Sequence, residues 1–334
     1  MVVISPNELT AKSKIQIKFI EVDEEVPDGS SGRVKRNMIN GTPIDFKALQ
    51  TVPIATASST SNTPQVISIS SGKGGVGKTN IVANLALALT RLGKKVLVLD
   101  ADLGLANIDI LLGLTPRYTI EHLLNGQKRL QDILVPGPEG MVILPAGSGI
   151  PELTDLNEGQ KLFLLNEMDQ LSQRIDLLLI DTGAGISANV LYFNLAAQES
   201  IIIITPEPTS LTDAYALIKV LATRHQKKHF IVLANAVANE LEAKEVFRKI
   251  SLVADRFLGS VSLDYLGFVP LDEHVLKAVR KQKAVLELFP QSPAGKSFMV
   301  LSQRLLDRPF RNRNEGNIQF FWKQVWEHSH FNVA

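Results

Sequence analysis

Eight consecutive residues, Gly72-Lys73-Gly74-Gly75-Val76-Gly77-Lys78-Thr79, match the spacing G-x-x-x-x-G-K-[ST]. Glycines at these positions let the backbone reach positive φ and bring N–H groups close to phosphate oxygens. Lys78 is spaced to reach the β- and γ-phosphates of a nucleotide, and the Thr79 hydroxyl to ligate Mg²⁺. Asn80 opens the helix that must follow and is counted with the nucleotide site. That helix would aim partial positive charge at the same anion. ATP and Mg²⁺ are the expected cofactors. Lys73 is a second cation inside the loop. It could neutralise charge on a transferred phosphoryl group, reach a partner's nucleotide as an arginine finger does, or stand solvated.

Carboxylates follow two apolar runs. Val96–Leu99 leads into Asp100-Ala101-Asp102-Leu103-Gly104, and Leu177–Ile180 into Asp181-Thr182-Gly183-Ala184-Gly185. Ligand chemistry in open α/β sheets gathers at the carboxyl ends of strands. Asp181 suits the carboxylate that positions Mg²⁺ or its waters. Asp102 is the candidate for orienting an attacking water. Asp100 could support Mg²⁺ or cap the strand end, and turn capping is the alternative for all three. Gly183 and Gly185 would let the loop approach the γ-phosphate and move when it leaves.

These residues need a frame, and the sequence from Gln65 onward supplies one. Apolar runs at Val66–Ser70, Val96–Leu99, Met141–Leu144, Leu177–Ile180, Ser200–Thr205, Phe230–Ala234 and Ser260–Val269 read as strands. Several are continuously apolar, as strands buried on both faces of a parallel sheet are. Helical patterns lie between them at Asn80–Leu92, Asn157–Arg174, Ala188–Ala197, Ser210–Thr223, Glu240–Leu258 and Asp272–Lys281. The expected fold is therefore α/β, one doubly wound and mostly parallel sheet spanning residues 65–308. Residues 1–64 read as a flexible extension. Within it Lys14–Val22, alternating at Ile15, Ile17 and Phe19, reads as one short strand, Glu21–Glu25 and Asp28–Gly32 read as loop, and Ala55–Pro64 as linker.

Composition narrows the function classes. The 334 residues carry a net charge of +1, which gives no global attraction to nucleic acid or acidic lipid. The absence of cysteine excludes disulfides, thiolate-held zinc and cysteine-ligated iron–sulfur clusters. No secretory leader or spanning apolar run is read, so the expected place is the cytoplasm, touching a membrane at most from its inner face.

The loop, with Asp100-Ala101-Asp102-Leu103-Gly104-Leu105-Ala106-Asn107 and Asp181-Thr182-Gly183-Ala184-Gly185, resembles the deviant Walker A ATPases of the MinD/ParA superfamily. The stretches Asn189–Leu195, Thr205–Leu217 and Asp264–Pro270 are most similar to its FlhG branch (also called FleN or YlxH), regulators of flagellar number and placement. The resemblance implies a P-loop ATPase that forms an ATP-dependent homodimer, binds membrane and partners, and is released by hydrolysis. It implies that Lys73 contacts the other subunit's nucleotide and that Lys78 and Asp102 serve the reaction. It also implies that Asn235, helped by the Pro270–Asp272 loop, recognises adenine, and that Glu207 lies near the interface or nucleotide. The partners implied are the flagellar GTPase FlhF and flagellar regulators. The Asp-Gln-Ala activator motif common in FlhG proteins is not found; Asp45-Phe46-Lys47-Ala48-Leu49-Gln50 is a faint echo. Docking to FlhF through the ATPase domain is thus implied, and stimulation of its GTPase is not.

Residues 309–334 close the chain with Ile318, Phe321, Trp322, Val325 and Trp326 on one helical face, following Arg308, Arg311 and Arg313. Such a face suits an interfacial membrane helix, or it packs on its own domain. Two other functions compete with the positional switch. One is a DNA-partition ATPase of ParA type, for which Arg280, Lys281 and Lys283 could supply part of a basic surface, although nucleic acid is not the expected partner. The other is an ATP-gated module that restrains a flagellar transcription activator.

Overall fold

The computed structural model describes residues 20–25, 33–39, 42–43, 64–102, 107–145, 167, 171 and 174–309. Most of the expected strand from Lys14 to Val22, nearly all of the linker, most of the expected helix Asn157–Arg174 and the C-terminal face from Ile318 to Trp326 lie outside them; Ile20–Val22 are described. The chain divides into two units, Met1–Thr60 and Ser61–Ala334.

In the first unit β1 (Ile20–Glu25), β2 (Arg33–Ile39) and β3 (Thr42–Pro43) form an antiparallel sheet in that order. The register sets Asp23 opposite Lys35 and Glu25 opposite Arg33. This corrects the reading of Glu21–Glu25 as loop. An acidic run has low strand propensity by itself, but here two of its acidic positions, Asp23 and Glu25, face basic register positions, which favours the pair.

The second unit is built on eight strands: β4 (Gln65–Ser71), β5 (Val96–Ala101), β6 (Val135–Pro136), β7 (Val142–Pro145), β8 (Leu177–Ala184), β9 (Glu199–Ile204), β10 (His229–Val237) and β11 (Ser262–Pro270). Their order is β11-β10-β9-β4-β8-β5-β7-β6, parallel except where β6 meets β7. The continuous apolar runs are explained by burial on both faces. Ile67, Ile69, Leu179, Ile201 and Ile203 join one core cluster, while Leu178, Ile180, Ile202 and Ile204 face the other side.

The first face is covered by α1 (Lys78–Arg91) with α8 (Glu273–Arg280), α9 (Val285–Leu288) and α10 (Pro293–Asp307). Short helices α2 (Ile108–Leu111), α3 (Ile120–Leu124) and α4 (Leu130–Ile133) lie toward the β5 side of the sheet. The second face takes α5 (Ala188–Ala196), α6 (Pro208–His225) and α7 (Glu240–Leu258). Helix α10 escaped the sequence reading, although Ala294, Phe298, Leu301 and Leu305 have helical spacing and are all buried. It guards the open edge of β11: Ser297 Oγ donates to Phe268 O and Arg304 Nη1 to Leu266 O, capping carbonyls that would otherwise invite a foreign strand.

Strand β4 is central, with β8 and β9 on its two sides, so the phosphate loop leaves the sheet where the connections diverge. The topology thus delivers the loop, both aspartate-bearing strand ends and Asn235 to one edge.

Candidate active site

The loop is held by the fold around it. Gly75 and Gly77 have φ of +78° and +86°, conformations that a side chain would strain. Gly77 is the N-cap of α1, no side chain caps that terminus, and its first turn carries no acid. Its N–H groups and dipole are therefore free to meet an anion. Helix α1 begins at Lys78, two residues before the expected start, so Lys78 and Thr79 belong to its first turn. Ser71 Oγ donates to Lys73 O and pins the entry to the loop.

Lys78 is buried and its Nζ donates to Asp181 Oδ1 at 3.0 Å. Strand β8 runs on through Ala184, so Asp181 sits within it, 1% exposed, instead of just beyond its end as the sequence suggested. Burial pushes the Asp181 carboxyl up, against the pull of the Lys78 ammonium and the Thr79 hydroxyl. Its Oδ2 is buried with no hydrogen-bond partner among the described residues. A desolvated carboxylate oxygen beside a threonine hydroxyl fits a hard divalent cation. The residues present fit Mg²⁺.

Asp102 stands against the end of β8: its Oδ1 is 3.5 Å from where a Cβ on Gly183 would be. Asp100 forms a cap. Oδ2 accepts from Asn107 N and Ile108 N at 3.0 and 3.1 Å, and Oδ1 from Asp102 N at 3.3 Å. It therefore ties both ends of the segment that follows β5.

Burial, and next the neighbouring Asp181, push the Asp100 carboxyl up to about 7, although the three N–H donors oppose this. A folded-state pKa above the unfolded one gives stability that is complete below about pH 4 and lost as pH rises through about 7. In chelator, wild type should lose about 1 kcal/mol of unfolding free energy relative to Asp100→Asn between pH 6 and 8.5. Urea titrations at both pH values check this; a constant difference between the two proteins refutes it.

Lys73 turns to its own chain. Its Nζ meets Glu207 Oε2 at 2.6 Å and Thr209 Oγ1 at 3.1 Å, in a pair with 38% and 61% of the side chains exposed. Sequence reading had placed Glu207 only loosely; the structure makes it the lysine's partner.

Five of the expected residues, Gly77, Asn80, Asn235, Pro270 and Asp272, line a single cavity of about 230 Å³. Ile81, Val269, Val275, Val279 and Phe298 are among the apolar residues that make it a slot beside the phosphate loop. These were missed, Phe298 because α10 was. Asn235 Nδ2 donates to Val76 O at 2.7 Å, so it also braces the loop. The oxygens of Asp272 accept from His274 N, the His274 ring and Ala294 N. Burial raises its carboxyl, but these donors outweigh burial and hold it below the usual carboxylate range. A larger cavity, about 340 Å³, lies among Arg129, Leu134, Glu167 and Arg174 and includes none of the loop residues.

A family model described as an AAA domain matches residues 64–232. The antiactivator FleN of Pseudomonas aeruginosa is 46% identical over 264 residues, covering 79% of this chain and 94% of that protein. The chain belongs to the FlhG branch of the MinD/ParA ATPases. A second FlhG-branch relative, the flagellum site-determining protein YlxH of Helicobacter pylori, is 34% identical over 72% of this chain and 82% of its own length. Among solved structures, the septum site-determining protein MinD complexed with Mg-ADP from Pyrococcus horikoshii is 25% identical with a TM-score of 0.58, covering 73% of this chain and 96% of that one. The MinC:MinD complex of Aquifex aeolicus is 27% identical with the same TM-score, and the same shares are covered. The α/β, doubly wound and mostly parallel fold of this FlhG-branch protein is thus the MinD/ParA one, and the protein is an ATPase.

Proposed function

We propose that this ATPase is a switch that dimerises on ATP and regulates flagellar number and placement at the membrane. The observation that carries the switch is the gathering of Lys78–Asp181, Asp102 and Gly183 at one sheet edge, with a second, solvent-facing lysine beside them. Thr79 and Asp181 would hold Mg²⁺, which supplies charge neutralisation on the phosphates when bound. Loop N–H groups and Lys78 bind the β- and γ-phosphates. The apolar slot takes adenine, with Asn235 at its polar end and the Pro270–Asp272 loop as its wall. Asp102 orients the attacking water.

Lys73 serves a second copy of the chain. An exposed ion pair is worth about 0.2–1 kcal/mol, so Glu207 is readily exchanged for the more concentrated charge of a triphosphate. Ile186 and Leu271, 51% and 76% exposed on loops that flank the nucleotide, favour covering this face in a dimer. The flagellar reading rests on what FleN and YlxH are named for, and the partners proposed are a GTPase of FlhF type and flagellar regulators. Attachment at the inner membrane face is assigned to Ile318, Phe321, Trp322, Val325 and Trp326. Among the described residues no helix is long and apolar enough to cross a membrane.

Light scattering should give twice the monomer mass with Mg-ATP and one mass with Mg-ADP, and only the ATP form should pellet with anionic vesicles. Lys73→Ala should stay monomeric in ATP. A monomeric wild type in ATP, or a Lys73→Ala variant that doubles normally, would sink the trans role.

A further inference from the structure

The motif Asn189–Leu195 takes no part in the site described so far, yet its Asn194 lies beneath that site at 0% exposure. Asn194 Nδ2 donates to Ser70 Oγ and to Val190 O, each at 2.7 Å, and Oδ1 accepts from Ser68 Oγ at 3.0 Å. An amide nitrogen is only a donor, so Ser70 Oγ must be the acceptor in that contact. The single Ser70 proton is then free for Thr182 Oγ1, 2.7 Å away. Thr182 also has one proton, and two carbonyls lie within its reach: Gly183 O at 2.9 Å and Ile69 O at 3.2 Å. Ser68, Ser70, Thr182 and Asn194 are all 0% exposed, so solvent cannot relieve that competition.

The two acceptors belong to the two parts of the site that must respond to each other. Ile69 lies in β4, three residues before the phosphate loop, and Gly183 opens the switch. The peptide bond is planar, so whichever group holds Gly183 O also orients the following N–H, that of Ala184. Asn194 itself is anchored from the far side, where Lys227 Nζ donates to Asn194 O and to Ala197 O at the end of α5.

We propose that Asn194 is a positioning residue for ATP hydrolysis, whose amide sets the direction of a buried relay through Ser70 and Thr182 to the Gly183–Ala184 peptide. The relay ties the phosphate-loop strand to the switch strand, and Thr182 exchanges its proton between their carbonyls as the switch moves. This rests on the reading that Gly183–Gly185 responds to the γ-phosphate.

The test compares Ser70→Ala, Asn194→Ala, Thr182→Val, Thr182→Ser and the Ser70→Ala/Thr182→Val double variant in the full chain, following kcat, ATP affinity and the unfolding midpoint. A break in the relay should lower kcat about tenfold in the first three, with ATP affinity within about twofold. The double variant should be no slower than either single one, and Thr182→Ser should restore turnover. A purely structural network would lower the midpoint while leaving kcat per folded molecule intact. Normal kcat in Thr182→Val, or effects that multiply in the double variant, overturns the relay. Should Asn194→Ala fail to fold, the serine and threonine variants decide. Equal hydrogen exchange at Gly183–Gly185 in ATP and ADP would instead remove the switch reading beneath the proposal, a result independent of the variant kinetics.

Discussion

Replacing Asp102 by Ala should lower ATP turnover by roughly 10²–10³-fold, the range expected when a carboxylate that orients or deprotonates water is removed. ATP affinity and ATP-dependent dimers should persist. The geometry separates the two effects: the groups proposed for the phosphates and Mg²⁺ are Lys78, Thr79, Asp181 and the loop N–H groups, whereas Asp102 lies against Gly183 at the end of β8. Asp102 is only partly buried and its backbone N–H is held by Asp100, so truncating its side chain leaves the cap intact. Single-turnover hydrolysis alongside equilibrium ATP binding is the measurement. Unchanged turnover removes Asp102 from the chemistry, and a matching loss of affinity would move it into the binding set.

Among the described glycines, Gly72→Ala should be the most damaging substitution by a single methyl. A Cβ at Gly72 would stand 2.0 Å from Asp213 C, 2.2 Å from Asp213 O and 2.4 Å from Ala214 N. All three are backbone atoms in the body of α6, which cannot swing aside as a flexible side chain would. Overpacking costs about 1–3 kcal/mol and occasionally more, a rigid backbone contact falling at the upper end, and relief by separating α6 from the loop would displace the N–H groups proposed to bind phosphate. Both stability and ATP binding should therefore fall. Gly74→Ala is the control, since a Cβ there meets nothing within 4 Å. Urea unfolding should place Gly74→Ala within about 1 kcal/mol of wild type. Equal midpoints for the two variants would show that the α6 contact gives way.

Much of this architecture was legible in advance because its signals are local. A strand buried on both faces must be continuously apolar, and β9 with Ile201–Ile204 reads as nothing else. The limits Glu240 and Leu258 of α7 were read correctly because Asn239 caps one end, its side chain accepting from Glu242 N, while Gly259 stops the other. The failures were non-local. The strand character of Glu21–Glu25 depends on a basic partner strand eight or more residues away, and Asp181 remains in strand because β8 stays paired through Thr182 with Ala101 of β5 and through Ala184 with Ser71 of β4.

The octet Gly72–Thr79 shows where the division falls. Sequence alone determined the chemistry: the donor types, the glycine freedom and the spacing of Lys78 and Thr79 are covalent properties of the chain. Tertiary structure decided what those groups meet. It aimed Lys78 at Asp181, left Asp181 Oδ2 desolvated and without a hydrogen bond among the described residues, and set Asp100 as a cap on Asn107 and Ile108. It also turned Lys73 onto Glu207, 134 residues away, and buried Asn194 against Ser68 and Ser70. Burial and through-space pairing depend on which distant segments the sheet order brings side by side, and no local spacing encodes that order.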